Sequence, residues 1–496
     1  MLAATHRFSF YVQAIFWVSL CVRIFFLGNH DLLTEEAYYW NYSTHLDFGY
    51  LDHPPMVAVL IKGFTLLLGQ NEFAVRCPAL LCWGISAYFM YRWTELIQKG
   101  SGKFSVLLLS ILPFFFLNSC VTTPDMPLMA AWAGALYYLY QALSQHKAQA
   151  WYGAGICIGL GLVAKYSIAL LIMTTGLFLI FNREQRAWLL RKEPYFAAVL
   201  ILVLFSPVIY WNAMHDWMSF SFQSTRRLQG KLYFSLHQLL GVLILFLTPL
   251  GIIGCTKLFQ RSHNAILTVS TKKFIQVFTV SPLLVFAVFS CFRAIKLDWI
   301  GPSLLAVLPW LACLMNQQRT VLQHWLRTGP ALICGYVLIL GCLTYGQPAL
   351  VNQKLFSPVL TISWQELTQS FYQVAASLSK PPSQTQPIFV PLDTYRIESE
   401  LNFYQRKQWM AHPNLPPFPV HHAGMFGIRG LMFEWWDTND LHGKTVIFIS
   451  KEKNTLNSDS IQTTTQPLSP IMSVWGKSQT HGAKLIPYYY QIAQVL

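Results

Sequence analysis

Charged side chains are scarce in this chain. Lys, Arg, Asp and Glu make up 11% of 496 residues, where a soluble domain carries about a quarter. With 54% of residues hydrophobic, the chain has too little polar surface for an ordinary soluble globule. Acids are scarcer still, 21 against 35 bases, and the formal net charge is +14. In a membrane protein bases gather in cytoplasmic loops, so this excess does not mark a nucleic-acid binder, and no RNA- or DNA-binding module is visible. CxxC spacing is absent. The ten cysteines all lie between Cys21 and Cys342, scattered through apolar runs, and read as small packing residues rather than a disulfide framework. No small-x-small cleavage site follows the first apolar run, Phe8 to Gly28, which is longer than a signal core and contains Arg23. It reads as a retained span. No repeat relates the two halves.

What is abundant is apolar run after apolar run. Segments long enough to cross or nearly cross a bilayer lie near 8–28, 78–97, 104–119, 127–144, 150–164, 167–182, 195–212, 236–256, 274–292, 299–316 and 330–349, about eleven spans. Basic loops orient them. Arg92, Lys99 and Lys103; Arg183, Arg186, Arg191 and Lys192; Lys257, Arg261, Lys272 and Lys273; and Arg319 and Arg327 all belong inside, and so does the N-terminus. The run from Trp151 to Phe181 must then cross twice, with its turn near Lys165 on the outer side. Arg226, Arg227 and Lys231 also fall outside, where bases are unexpected, and suit a local use such as binding phosphate.

From about Phe356 the composition turns polar. PIFVPL, KTVIFIS and KLIPYYYQIAQV read as strands and TYRIESELNFY as an amphipathic helix. Asn454 to Ser469, rich in Ser, Thr and Gln, reads as a flexible loop. The expected fold is mainly α: a polytopic helical bundle over 1–352, with outer loops at 29–77, 119–127, 212–235 and 293–299, and a small α/β domain outside the membrane over 353–496.

The first outer loop, LTEEAYYWNYSTHLDFGYLDHPPM from Leu33 to Met56, concentrates the chemistry. It holds Glu35, Glu36, Asp47 and Asp52, His45 and His53, and a band of Tyr and Trp including Tyr38. The aromatics also suit an ordinary interfacial belt. Two prolines stiffen the turn that carries Asp52 and His53. In the second loop Asp125 sits between prolines at a helix start, where an acid also serves as a cap. Lys165 reads either as a functional cation or as a snorkelling lysine. His421 and His422 read as a solvated pair, and no metal site is assigned. Acids and cations at the outer edge of a helical bundle suit sugar transfer from a lipid-linked phosphate. The leaving phosphate carries its own charge, cations stabilise it, and a carboxylate takes the acceptor's proton.

The motifs carry a resemblance as well. TEEAYYWNYSTHLDFGYLDHPPMVAVLI resembles the first outer loop of GT-C type membrane glycosyltransferases, in the bacterial group related to protein O-mannosyltransferases and the aminoarabinose transferase of lipid A. TPDMPL around Asp125, GLVAKYS around Lys165, FSPVIYWNAMHDWMSFSFQ, KLDWIGP and YRIESELNFY follow in order. The resemblance implies a polyprenyl-phosphate sugar donor, undecaprenyl phosphate in a bacterial inner membrane, and inverting displacement. It implies a periplasmic acceptor; lipid A, lipopolysaccharide or another envelope glycan is expected ahead of protein, because no protein-binding module is visible in the sequence. It puts the family's first acid, usually Asp, on Glu35, and its second on Asp125. The longer Glu35 side chain shifts the carboxylate outward by about one methylene, and such a shift matters to catalysis. Where Asp298 stands, the family more often has Asn.

The expected roles follow. Glu35, with Glu36 beside it, and Asp125 are the candidate catalytic acids. Asp52, His53 and Tyr38 are placed at the donor headgroup, and Lys165, Arg226 and Arg227 at its phosphate. No cofactor is assigned; some relatives are metal-linked, so a divalent metal stays open. The rival functions are a transporter or lipid flippase and a non-catalytic homologue of the transferase.

Overall fold

The computed structural model describes residues 2–228, 232–260, 266–345, 361–379, 386–437, 440–479 and 482–496, with side chains undescribed at 2–9, 226–228, 297 and 345. Each expected apolar segment is helical where described. Among the described residues, seven helices are long and apolar enough to cross a bilayer: Phe10–Gly28, Glu72–Ile97, Glu193–Met214, Leu236–Phe259, Val269–Ser290, Asp298–Gln317 and Arg319–Thr344. A bent pair, Tyr166–Phe181 with Arg183–Leu190, angled at 109°, makes an eighth only if the two pieces are one span. Of the other expected spans, 127–144 lies in the unbroken 20-residue helix Asp125–Ser144, 150–164 in a 15-residue helix, and 104–119 is broken. Residues 104–119 split into helices Gly102–Ile111 and Pro113–Asn118, because Pro113 drives Leu112 into an extended conformation. Met56–Leu68 forms an apolar helix that the sequence had not marked as a span.

These helices are apolar outward as well as inward. On Glu193–Met214, Val199, Leu202, Val203 and Tyr210 are exposed; on Leu236–Phe259, Leu240, Ile244, Leu245 and Ile253 are exposed. A helix apolar all round suits lipid as solvent, where every backbone group is satisfied within the helix. The protein is a polytopic membrane protein.

The chain divides into two compact units. The first comprises 1–25, 47–57 and 77–336. Its core packs Trp93, Trp132, Trp310 and Trp325 with Phe274 and Phe278. Within it, helix Ala150–Ala164 packs against both Asp125–Ser144 and Glu193–Met214. Glycines make that approach feasible. A Cβ at Gly155 would stand 2.8 Å from the Ala197 carbonyl oxygen, and one at Gly159 would stand 2.8 Å from Leu204 Cδ1.

The second unit comprises 26–46, 58–76 and 337–496; the expected domain start near Phe356 lies outside the described residues. Its sheet runs β1 (Ile388–Pro391), β2 (Thr445–Ser450), β5 (Lys484–Val495), β3 (Thr465–Pro467), with β4 (Met472–Lys477) also paired to β5. β1 and β2 are parallel and the other pairs antiparallel. Helix Arg396–Ala411 packs against helix Thr34–Thr44, which carries the acid-aromatic motif. The expected loop 454–469 is instead ordered. Buried Leu456 and Ile461 anchor a short turn and helix Asp459–Thr464, and Thr465–Pro467 pairs with β5.

Candidate active site

In the first unit, the chain interrupts its helices where polar groups are needed. Helix Asp125–Ser144 starts on Asp125, behind Pro124. Helix Ala150–Ala164 ends on Lys165, which is extended at φ −159°, ψ 134° before the turn Tyr166–Ile168. Asp298 lies in the first turn of the tight helical stretch Leu297–Val307. These breaks bring three charges together. Lys165 Nζ donates to Asp125 Oδ1 at 2.7 Å and Oδ2 at 2.9 Å, and to Asp298 Oδ2 at 3.1 Å. The Lys165 and Asp125 side chains are 11% and 7% exposed, whereas Asp298 is 41% exposed. An ion pair taken out of water needs several good partners to offset its desolvation, and here one ammonium serves two carboxylates.

Lys165 lines a cavity of about 270 Å³ with His53, Tyr166, Gln223, Phe286, Phe289 and Trp299. The Tyr166 hydroxyl and Ser219 Oγ are 2.9 Å apart. Gln223 Nε2 donates to the Asp52 carbonyl oxygen, so the Asp52–His53 turn is tied to the wall. Below that turn, Trp211 Nε1 donates to Asp47 Oδ2 at 2.8 Å, and Gly49 lies so close that a Cβ there would meet the indole at 2.7 Å. One cation among aromatic walls suits an anionic headgroup attached to an apolar tail. Arg226 and Arg227 lie on helix Met218–Leu228, but their side chains, and Lys231 altogether, lie outside the described residues.

The second unit holds the other acids. Glu36 is fully buried and bound by Arg76, whose Nη2 donates at 2.7 Å and Nε at 3.0 Å. Arg76 also donates to the carbonyls of Leu27, His30 and Asp31 at 3.2, 2.7 and 2.8 Å. Glu36 accepts from Leu33 N at 3.0 Å as well. Its carboxylate is thereby committed to closing the start of its helix. Glu35, the next residue back, is exposed, and among the described residues it accepts from Thr34 Oγ1 and the Tyr395 hydroxyl, at 3.2 and 3.4 Å. Tyr38, expected at the donor, is 2% exposed. Its hydroxyl accepts from Tyr42 OH at 3.1 Å and Met432 N at 3.4 Å. The solvated pair His421 and His422 is corrected too: His421 Nδ1 contacts Asp437, and His422 is buried with Nε2 at 2.6 Å from the Ile428 carbonyl oxygen. Among the described residues, no group of three His, Cys, Asp or Glu side chains is placed to hold a metal ion.

Sequence reasoning passed over two residues. Asp298 was set aside because it departs from the family's Asn. Arg76 went unremarked, although a lone arginine in the apolar stretch FAVRCPALL signals a buried partner.

Comparison with known proteins places this geometry. Over nearly its full length the chain superposes on ArnT from Cupriavidus metallidurans in the apo state, with TM-score 0.69, 14% identity, and 99% of this chain and 98% of that one covered. It shares the ArnT fold. The ArnT structure bound to undecaprenyl phosphate superposes with TM-score 0.67, 14% identity, and 98% of each chain covered. The resemblance to GT-C membrane glycosyltransferases therefore holds at the level of fold. Residues 52–211 match the family described as dolichyl-phosphate-mannose-protein mannosyltransferase. That stretch runs from Asp52 through Asp125 and Lys165 to Trp211. The lipid A galacturonosyltransferase RgtD of Rhizobium johnstonii is 24% identical over 192 residues, 38% of this chain. The match spans 39% of that relative's own length.

Proposed function

We propose that the protein is a membrane glycosyltransferase. It moves a sugar from a polyprenyl-phosphate donor to a lipid-borne saccharide, lipid A or another envelope glycan, by inverting displacement at the sugar carbon. The observation that carries this reading is Lys165, held by Asp125 and Asp298 on the wall of an aromatic-lined cavity of about 270 Å³. A polyprenyl phosphate presents one anionic group and a long apolar tail, and this wall offers partners for both. As the bond from the sugar carbon to the phosphate oxygen breaks, the oxygen keeps the electron pair. A preorganised ammonium stabilises the charge that develops there. Asp125 fixes the direction of the Lys165 side chain, and a cation already aimed needs no reorganisation during the reaction. Arg226 and Arg227 remain candidates for the same phosphate, and Asp52 and His53 for shaping the headgroup pocket.

The acceptor hydroxyl must lose a proton as it attacks, and a carboxylate within hydrogen-bond reach is suited to take it. Glu35 is the proposed carboxylate. Its exposure supports this, and so does the commitment of Glu36 to Arg76. The undecaprenyl phosphate bound by ArnT supports the donor class, and the name of RgtD supports lipid A as acceptor. The bacterial-type motifs support a bacterial inner membrane, and the apolar runs and loop charges support about eleven crossings and an outward-facing domain over 353–496.

The test is mass spectrometry of envelope lipids from cells with and without the gene. Loss of a single sugar mass from one lipid species is expected and would identify sugar and acceptor together. Unchanged lipid masses in the deletion would contradict the transferase reading, and a lipid accumulating on one leaflet would favour a flippase.

A further inference from the structure

A second cavity lies wholly within the second unit, between helices Thr34–Thr44 and Arg396–Ala411 and the segment 417–437. It encloses about 640 Å³, within the range of about 300–1,000 Å³ usual for small-molecule sites. One wall is aromatic. Trp436 stacks on His45 with ring centroids 4.4 Å apart and planes at 11°, and meets Phe433 edge-on at 5.4 Å. Another wall is built of amides. Asn402 Nδ2 donates to Asn41 Oδ1 at 3.1 Å, and Gln405 is held by Phe418 N at 2.9 Å.

The floor carries a carboxyl. The Glu398 side chain is 3% exposed, and its Oε2 faces the equally buried His422 Nδ1 at 3.7 Å. Lys62 and the exposed Arg406 also line the cavity, and neither forms an ion pair among the described residues. Arg406 also lies over the Trp409 ring at 4.5 Å, and Asp437 lines the same cavity.

The combination selects one ligand chemistry. Aromatic faces accept the C–H faces of a pyranose. Amides and a carboxyl accept and donate to ring hydroxyls. Two unpaired cations call for a phosphate or carboxylate on the sugar. We propose that this cleft binds an anionic saccharide, the charged sugar headgroup of the acceptor lipid. The assignment of the ligand as acceptor rests on the transferase reading above.

The test titrates the purified full chain in detergent, by tryptophan fluorescence, with a glucosamine disaccharide carrying one phosphate and with the same disaccharide unphosphorylated. The phosphorylated sugar is expected to bind at least about tenfold more tightly. Arg406→Gln should weaken the phosphorylated sugar by about fivefold and leave the neutral one unchanged. Trp436→Ala should weaken both. In a transfer assay the same variants should raise KM for the acceptor while kcat and the donor KM hold. Equal affinity for the two sugars, or wild-type affinity in both variants, would overturn the proposal. If the wild type transfers sugar but the variants keep their acceptor KM, the cleft assignment falls and the transferase stands. Variant-sensitive binding in a chain that transfers nothing would sink the transferase and leave the saccharide site.

Discussion

The Lys165 ammonium sits 2.7 Å from one Asp125 oxygen and 2.9 Å from the other. The two residues come from different helices, and each stands where its helix begins or ends. Neither position would tolerate a charge in the middle of an apolar span, because an unpaired charge there costs several kcal/mol. At the helix breaks the two charges meet, and the break also leaves room for the cavity beside them.

Glu35 and Glu36 should separate cleanly. Glu36→Gln removes the charge facing fully buried Arg76, and breaking a buried pair this way costs about 3–5 kcal/mol. A large drop in Tm in detergent is expected. Glu35→Gln should leave Tm unchanged and lower sugar transfer by about a hundredfold or more. A stable Glu36→Gln protein would show that the Arg76 contact contributes little.

Asp298→Asn should be tolerated. Lys165 keeps both of its bonds to Asp125 in that variant, and Asn is what the resembled family more often carries there. Transfer is expected to stay within a few-fold of wild type. A collapse of activity comparable to losing Lys165 would mean that the second carboxylate is indispensable.

The geometry around Lys165 depends on a glycine. The Gly161 carbonyl accepts from Lys165 N at 2.8 Å, and a Cβ on Gly161 would stand 2.2 Å from Ile168 Cδ1. Gly161→Ala should therefore cost about 1–3 kcal/mol through overpacking and lower transfer. Ile168→Val deletes the clashing methyl, so the double variant should recover most of the Tm and activity. If the double variant is no better than the single, steric conflict at Ile168 is not the cause.

Acidity should stabilise the second unit. Burial pushes the Glu398 carboxyl up to about 7 and the Asp393 carboxyl up to about 6. Burial lowers His422, but the Glu398 carboxyl at its side outweighs this and raises it. The charged groups facing Glu398 are His422, Asp437 and Asp393. With the carboxyls raised, the folded state binds more protons than the unfolded chain. Stability is then greatest below about pH 4 for these groups and is lost as pH rises towards about 7. Melting followed by fluorescence should show Tm falling by several degrees between about pH 5 and 8. Glu398→Gln, neutral at every pH, should flatten that slope; an unchanged slope would place the titration elsewhere.

Much of this was legible in the sequence, and the gaps have physical reasons. Apolar runs reported the helices, and LDHPPM, TPDMPL and GLVAKYS reported the breaks, because proline and lone charges interrupt a span for local reasons. Which of two adjacent glutamates turns inward was not legible. Neighbours on a helix point about 100° apart, and the choice falls to Arg76, forty residues on and within another apolar run. The burial of Tyr38 was not legible for a similar reason: Met432, whose N donates to its hydroxyl, lies 394 residues on. The stretch 454–469 looked disordered by composition, yet Leu456 and Ile461 are buried in it and Thr465–Pro467 pairs with β5.

The most direct measurement is sugar transfer by Lys165→Met in reconstituted vesicles with a polyprenyl-phosphate donor. Asp125→Asn is combined with it, so that no carboxylate is left buried without its cation. The account expects a folded protein whose transfer falls by about a hundredfold or more, with donor binding weakened. A double variant that binds donor and transfers sugar at near wild-type rates would contradict it.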